Sequence, residues 1–98
     1  MEAAEPVVLI NAFEVPQGQD EAFLASWERA REHLQGQEGY ISTRLHRSLV
    51  PDADFRFVNI ALWRSAEEFR TATSDPAFRA TAPPFASHPS LYEVVRSD

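Results

Sequence analysis

Two stretches of this chain, Val7–Val15 (VVLINAFEV) and Phe55–Trp63 (FRFVNIALW), carry apolar residues on both of the faces that a strand presents. In the first, Val8, Ile10 and Ala12 oppose Val7, Leu9 and Phe13; in the second, Val58, Ile60 and Leu62 oppose Phe57 and Trp63. Side chains alternate across a pleated strand, so strands of this kind must be covered twice. Their β-branched and aromatic content, with Pro6 and Pro16 as boundaries of the first, assigns them to strands rather than helices.

The covering elements are few. Gln17-Gly18 turns the chain, and Phe23, Trp27, Ala30 and Leu34 then recur at helical spacing. Asp20 and Glu21 stand in the first turn, where the helix dipole favours negative charge. The pattern predicts a helix of about sixteen residues ending near Gly36. After Gly39, residues Tyr40–Leu49 read as a strand with Ile41, Thr43, Leu45 and Leu49 on one face and Tyr40, Ser42, Arg44 and His46 on the other. Pro51-Asp52-Ala53-Asp54 is turn chemistry and joins it to Phe55–Trp63 as a hairpin. Ser65-Ala66-Glu67-Glu68 has the spacing of a capping box and opens a second helix with Phe69 and Ala72. That helix is broken: Asp75-Pro76 restarts it with proline at its first position, and Pro83-Pro84 stops it after Phe78. His88-Pro89 reads as a short loop and Leu91–Arg96 as a closing strand.

The order β-α-β-β-α-β is that of a ferredoxin-like α+β fold, a four-stranded antiparallel sheet with its helices on one face. The 98 residues leave room for a single domain, residues 1–98. A chain of this size buries only about 60–65% of its unfolded surface. Two helices leave the other sheet face bare, and the economical cover is a second copy, sheet against sheet about a twofold axis. A homodimer is expected.

Composition closes several classes of function. The net charge is −6, and the nine basic residues, all arginine, are scattered singly. Nucleic acid and anionic membrane are poor partners for such a surface. Without cysteine there are no disulfides, thiolate nucleophiles or thiolate metal sites. The start, Met1-Glu2-Ala3-Ala4-Glu5-Pro6, has no secretory-signal pattern and no apolar run reaches membrane-spanning length, so a cytoplasmic location is expected. No P-loop, dinucleotide glycine fingerprint, nucleophile elbow or paired-histidine metal spacing is present. His33, His46 and His88 are far apart and read as surface or boundary residues, so no metal site is expected.

Polar residues inside strands that otherwise demand burial are the remaining signal. Asn11 lies between Leu9 and Phe13, and Asn59 between Phe57 and Ala61. A buried amide needs a partner. In a ferredoxin-like sheet these strands are neighbours, so both amides project into one hollow with Trp63 on the same side. Alternatively, the amides satisfy each other or a helix end, with no ligand involved.

The segment VNIALWRSAEEFR from Val58 to Arg70, with VVLINAFEVPQG at the start and LYEVV at the end, resembles the antibiotic biosynthesis monooxygenase family of dimeric α/β-barrel proteins, over nearly the whole chain. The resemblance implies a monooxygenase that oxidises anthrone-type polycyclic phenols to quinones with O2, using neither metal nor flavin. Asn59 and Trp63 match the family's spacing, and Phe69 stands where the family carries a tyrosine. Asn59, Trp63 and Asn11 form the expected catalytic set; Phe13, Trp27, Phe57, Phe69, Phe78, Arg44 and His46 are the expected substrate contacts. The partners implied are a small aromatic molecule, O2 and a second copy of the chain. The first strand is similar to that of the family's heme-degrading branch, whose asparagine corresponds to Asn11. That branch's tryptophan and heme-ligating histidine fall at Thr71 and Thr81. Heme binding or degradation is therefore the alternative cofactor reading, and a non-catalytic binding or accessory role is the third.

Overall fold

A computed structural model describes residues 5–98; the Met1–Ala4 part of the N-terminal reading lies outside the described residues. The chain runs β1 (Val7–Glu14), α1 (Asp20–Leu34), β2 (Tyr40–Arg47), β3 (Phe57–Trp63), α2 (Ala66–Ser74), α3 (Pro76–Thr81) and β4 (Ala86–Tyr92). The four strands form one antiparallel sheet in the order β2-β3-β1-β4, the ferredoxin-like arrangement read from the sequence. β1 and β3 pair in the centre with Leu9 opposite Ala61, Asn11 opposite Asn59 and Phe13 opposite Phe57. No helix among the described residues is long and apolar enough to cross a membrane.

The helices pack on the face that carries Leu9, Phe13, Phe57, Ala61 and Trp63, and the core beneath them falls into two clusters. One gathers Leu9, Ala61, Trp63 and Ala72; the other gathers Phe13, Val15, Phe23 and Phe57. Phe23 of α1 anchors the second cluster, stacked on Phe57 at 4.5 Å and edge-on to Phe13 at 4.8 Å. Aromatic pairs at these separations add to the burial of their area. Among the described residues, no helix or strand packs on the opposite face, which carries Val8, Ile10, Ala12, Val58, Ile60 and Leu62.

Ser65 caps α2 by accepting the Glu68 amide at 3.1 Å, as its spacing predicts. The Glu68 carboxylate does not reach back to the Ser65 amide. It pairs with Arg64 and accepts the Ser65 hydroxyl. Asp75 breaks the second helix and caps its continuation, accepting the Ala77 amide at 2.9 Å ahead of Pro76.

Two strand readings need correction. A bulge in β2 inserts Ile41 between Tyr40, opposite Trp63, and Ser42, opposite Leu62. The inserted residue breaks the two-residue alternation, so Tyr40 joins Thr43 and Leu45 on the helix-covered side while Ile41 is exposed. Leu49 lies beyond the strand and is 98% exposed. The last strand begins at Ala86 rather than Leu91 and contains His88 and Pro89. β4 is an edge, where a residue without an N–H costs no ladder bond, so Pro89 is accommodated opposite Asn11.

Gly39 permits the bulge. Its φ is +89°, and a Cβ there would stand 2.6 Å from the Glu68 Cβ. Gly39→Ala is expected to lose at least about 1–2 kcal/mol from the left-handed backbone alone, read as a lower urea midpoint at unchanged slope. At the other end of β2, Arg56 donates to Asp20 at 2.9 Å and to the Ser48 carbonyl at 2.8 Å, tying the β2–β3 loop to the start of α1. The Arg56 hydrogen bond holds the Asp20 carboxyl below the usual range, against the opposing effect of desolvation. A group with a depressed folded pKa stabilises above its unfolded value, near pH 4, and loses that contribution as pH falls through the folded value. Asp20→Asn is therefore expected to lower stability at neutral pH and to flatten the acid limb of a stability-against-pH curve.

Candidate functional site

The two core clusters are separated along the sheet by one polar row. On β1, Asn11 lies between Leu9 of one cluster and Phe13 of the other; on β3, Asn59 lies between Ala61 and Phe57. No buried side chain fills the gap, and a cavity of about 600 Å³ occupies it between the sheet and the three helices. That volume is in the range of small-molecule sites. Leu9, Phe13, Ala61, Trp27, Leu34, Phe69 and Phe78 supply apolar walls; Asn11, Asn59, Tyr40, Thr43, Arg31 and Arg70 supply polar groups.

The asparagines do not bond each other. Thr43 Oγ1 donates to Asn59 Oδ1 at 2.6 Å from the β2 side, and the His88 backbone amide donates to Asn11 Oδ1 at 3.1 Å from the β4 side. Each amide is thus held by its oxygen from the outer strand next to it, which leaves the N–H donors of both Nδ2 atoms to the cavity. Directly opposed residues of an antiparallel pair have Cβ atoms about 4.5–5.5 Å apart, so these donors converge on one region. The sequence offered mutual pairing or a helix end as the way to satisfy these amides. Neither is what the fold does.

Trp63 borders the cavity but is fully buried, with Tyr40 edge-on at 5.6 Å and Phe69 edge-on at 5.4 Å. Tyr40 is the residue that alternation misplaced: the bulge turns it to the helix-covered side, where it lines the cavity with its ring against Trp63. Burial pushes the Tyr40 phenol above its ordinary value, and the Arg31 guanidinium opposes that shift. Arg31 itself is held by Glu28 at 2.8 Å and Gln35 at 2.7 Å.

Of the residues expected at the site, Asn11, Asn59, Trp63, Phe13, Trp27, Phe69 and Phe78 line this cavity. Phe57 does not; it is buried in the second cluster against Phe23. Arg44 and His46 are corrected: both are exposed, and pairing with Ile60 and Val58 places them on the uncovered face. His46 Nδ1 lies 3.3 Å from the Val58 carbonyl there. Tyr40, Thr43, Arg31 and Arg70 were missed. A glycine before a tyrosine at the head of a strand was the one available sign of the bulge.

Heme does not fit these residues. Among the described residues, the cavity lining contains no histidine, cysteine or methionine. Thr71 is exposed, and the Thr81 hydroxyl donates to the Phe78 carbonyl at 2.8 Å. His33 sits 3.8 Å from Asp75, and His88 pairs with Glu14 at 2.7 Å on the sheet edge. Tyr40 is of a type that ligates heme iron, but ligation needs the phenolate that its burial disfavours.

The profile of the antibiotic biosynthesis monooxygenases matches residues 6–83. No curated protein matches the chain. Among solved structures, a candidate monooxygenase from Shewanella loihica PV-4 is 36% identical, with 95% of this chain and 97% of that one covered and a TM-score of 0.86. SnoaB, a cofactor-independent oxygenase from Streptomyces nogalater, is 26% identical over 96% of this chain and 97% of its own, at a TM-score of 0.80. MhuD, a heme-degrader from Mycobacterium tuberculosis seen with two hemes in its active site, is 26% identical over 95% and 99%, at 0.73. With its sheet order, its central asparagine pair and a profile match over residues 6–83, the chain belongs to the antibiotic biosynthesis monooxygenase family.

Proposed function

We propose that this protein is a cofactor-independent oxygenase that converts an anthrone-type polycyclic phenol to a quinone with O2, acting as a homodimer of single-domain chains. The observation that carries this reading is the pair of asparagines, each fixed by its oxygen and each presenting N–H donors to an otherwise largely apolar cavity. The likeness to SnoaB supports it; the absence of a heme ligand from the lining favours it over the activity of MhuD.

The substrate supplies the electrons. Loss of a proton gives an anion delocalised over the ring and its oxygen; one electron passes to O2, and the radical pair combines into a peroxide at the ring carbon. The peroxide O–O bond then breaks with loss of water. One oxygen atom stays as the new carbonyl and the other leaves as water, so four electrons from the ring methylene reduce one O2.

The protein stabilises charge where it develops. Nδ2 of Asn59 and of Asn11 donate to the ring oxygen as it becomes anionic, and donors fixed in advance need no reorganisation during the step. The Tyr40 phenol, kept protonated by burial, donates to the peroxide. It restores a hydroxyl to a site where Phe69 has none. No aspartate, glutamate or histidine lines the cavity, so the first proton passes to water. Trp63 and Phe69 shape the slot and exclude solvent from the ring.

The uncovered face supports the dimer. Ile60 on that face is 37% exposed, Tyr92 at the end of β4 stands opposite Val8 and is exposed, and Val94 and Val95 beyond the strand are exposed too. A sheet face of this kind is covered by its own copy in a sandwich. Ile60→Arg is expected to convert the species seen by sedimentation from two chains to one.

Oxygen consumption with an anthrone probe in the presence of a chelator tests the chemistry. The parent protein is expected to exceed the spontaneous rate, and Asn59→Ala to lose about 10²–10³-fold, the usual cost of one fixed donor. Tyr40→Phe should reduce turnover while leaving probe binding intact. Uptake no faster than the spontaneous rate would remove the oxygenase reading.

A further inference from the structure

We propose that the substrate of this site carries a carboxylate, and that Arg70 binds it at the cavity rim while the reacting ring lies against Asn11 and Asn59. This deepens the oxygenase reading and rests on it. The chain has fifteen acidic residues against nine arginines, yet no aspartate or glutamate lines the cavity, and the charged side chains that do are Arg31 and Arg70. A cationic pocket in an acidic protein runs against the sign of the whole molecule. Such a local field raises the concentration of anions at its mouth.

The two arginines are not equivalent. The Arg31 guanidinium is occupied by the Glu28 carboxylate and the Gln35 amide oxygen, which together use its Nε, Nη1 and Nη2. Arg70 is exposed and forms no ion pair among the described residues. Glu67 and Asp75 border the shallow groove on its other side, and neither pairs with it. On α2, Arg70 directly follows Phe69, whose ring meets Trp63 at 5.4 Å, and it borders both the cavity and the shallow groove beside it, at the rim between the two. A free guanidinium offers a planar fork that matches a carboxylate with two parallel hydrogen bonds. A single fork suits one carboxylate better than a phosphate, which calls for more donors.

Quenching of the two tryptophans by two probes already at the quinone level tests this: 1,8-dihydroxyanthraquinone and its 3-carboxylate, at about pH 6.5, where the carboxylate is ionised. The parent protein is expected to bind the carboxylate about five- to tenfold more tightly, a charge-assisted contact discounted for solvent exposure. Arg70→Gln should erase that preference and leave the neutral probe unchanged, while Arg70→Lys retains part of it. About 0.5 M salt should shrink the preference in the parent. Equal affinity for both probes in the parent, or a preference that survives Arg70→Gln, overturns the inference and leaves the oxygenase reading intact. Selective binding of the carboxylate without oxygen uptake on its anthrone counterpart keeps the inference about the ligand and removes the oxygenase reading. No binding of either probe overturns both.

Discussion

The cross-strand pairing of Asn11 with Asn59 is the constraint on which the rest of this structure depends. Two amides at the centre of an otherwise apolar sheet face prevent the core from closing into one cluster. The core divides into an aromatic group around Phe23 and a second group around Trp63, with a cavity between them. A buried amide without a partner is costly. Here the outer strands bear that cost: Thr43 and the His88 backbone amide satisfy the two oxygens, and the nitrogen donors remain for a ligand. The site is therefore a defect in packing that hydrogen bonds make tolerable.

The wall of the cavity depends on a second local device. Gly39, at positive φ, lets β2 start close against the Glu68 side chain, and the bulge at Ile41 turns Tyr40 inward. Glu68 is fixed in that position by Arg64 and Ser65, so the cap of α2 and the placement of Tyr40 belong to one connected arrangement. The Trp63 ring, between Tyr40 and Phe69, passes the position of one to the other.

The same frame carries unlike chemistries in its relatives, a cofactor-independent oxygenase and a heme-degrader. Fold alone does not choose between such uses. In this chain the described lining side chains offer amide and phenol donors and two arginines, and no histidine or cysteine.

Much of this was legible in the sequence. Alternation over Val7–Glu14 and Phe57–Trp63, helical spacing after Asp20, the Ser65 cap and the Asp75-Pro76 break each act over a few residues, and local physics fixes them. Asn11 and Asn59 stood out because asparagine in a buried strand contradicts propensity. The sequence could not place Tyr40, because one inserted residue reverses every later facing and only the β2–β3 register reveals it. Alternation already set Arg44 and His46 against Thr43 and Leu45, but only the pairing with Ile60 and Val58 shows that their face is the uncovered one. Nor could the sequence extend β4 through Pro89, since an edge position is a property of strand order. The partners of the amides and the isolation of Arg70 were likewise set by tertiary structure. Residue type and spacing determine which elements form, whereas contacts between residues distant in the chain determine which side chains share a cavity and which donors and charges are left free.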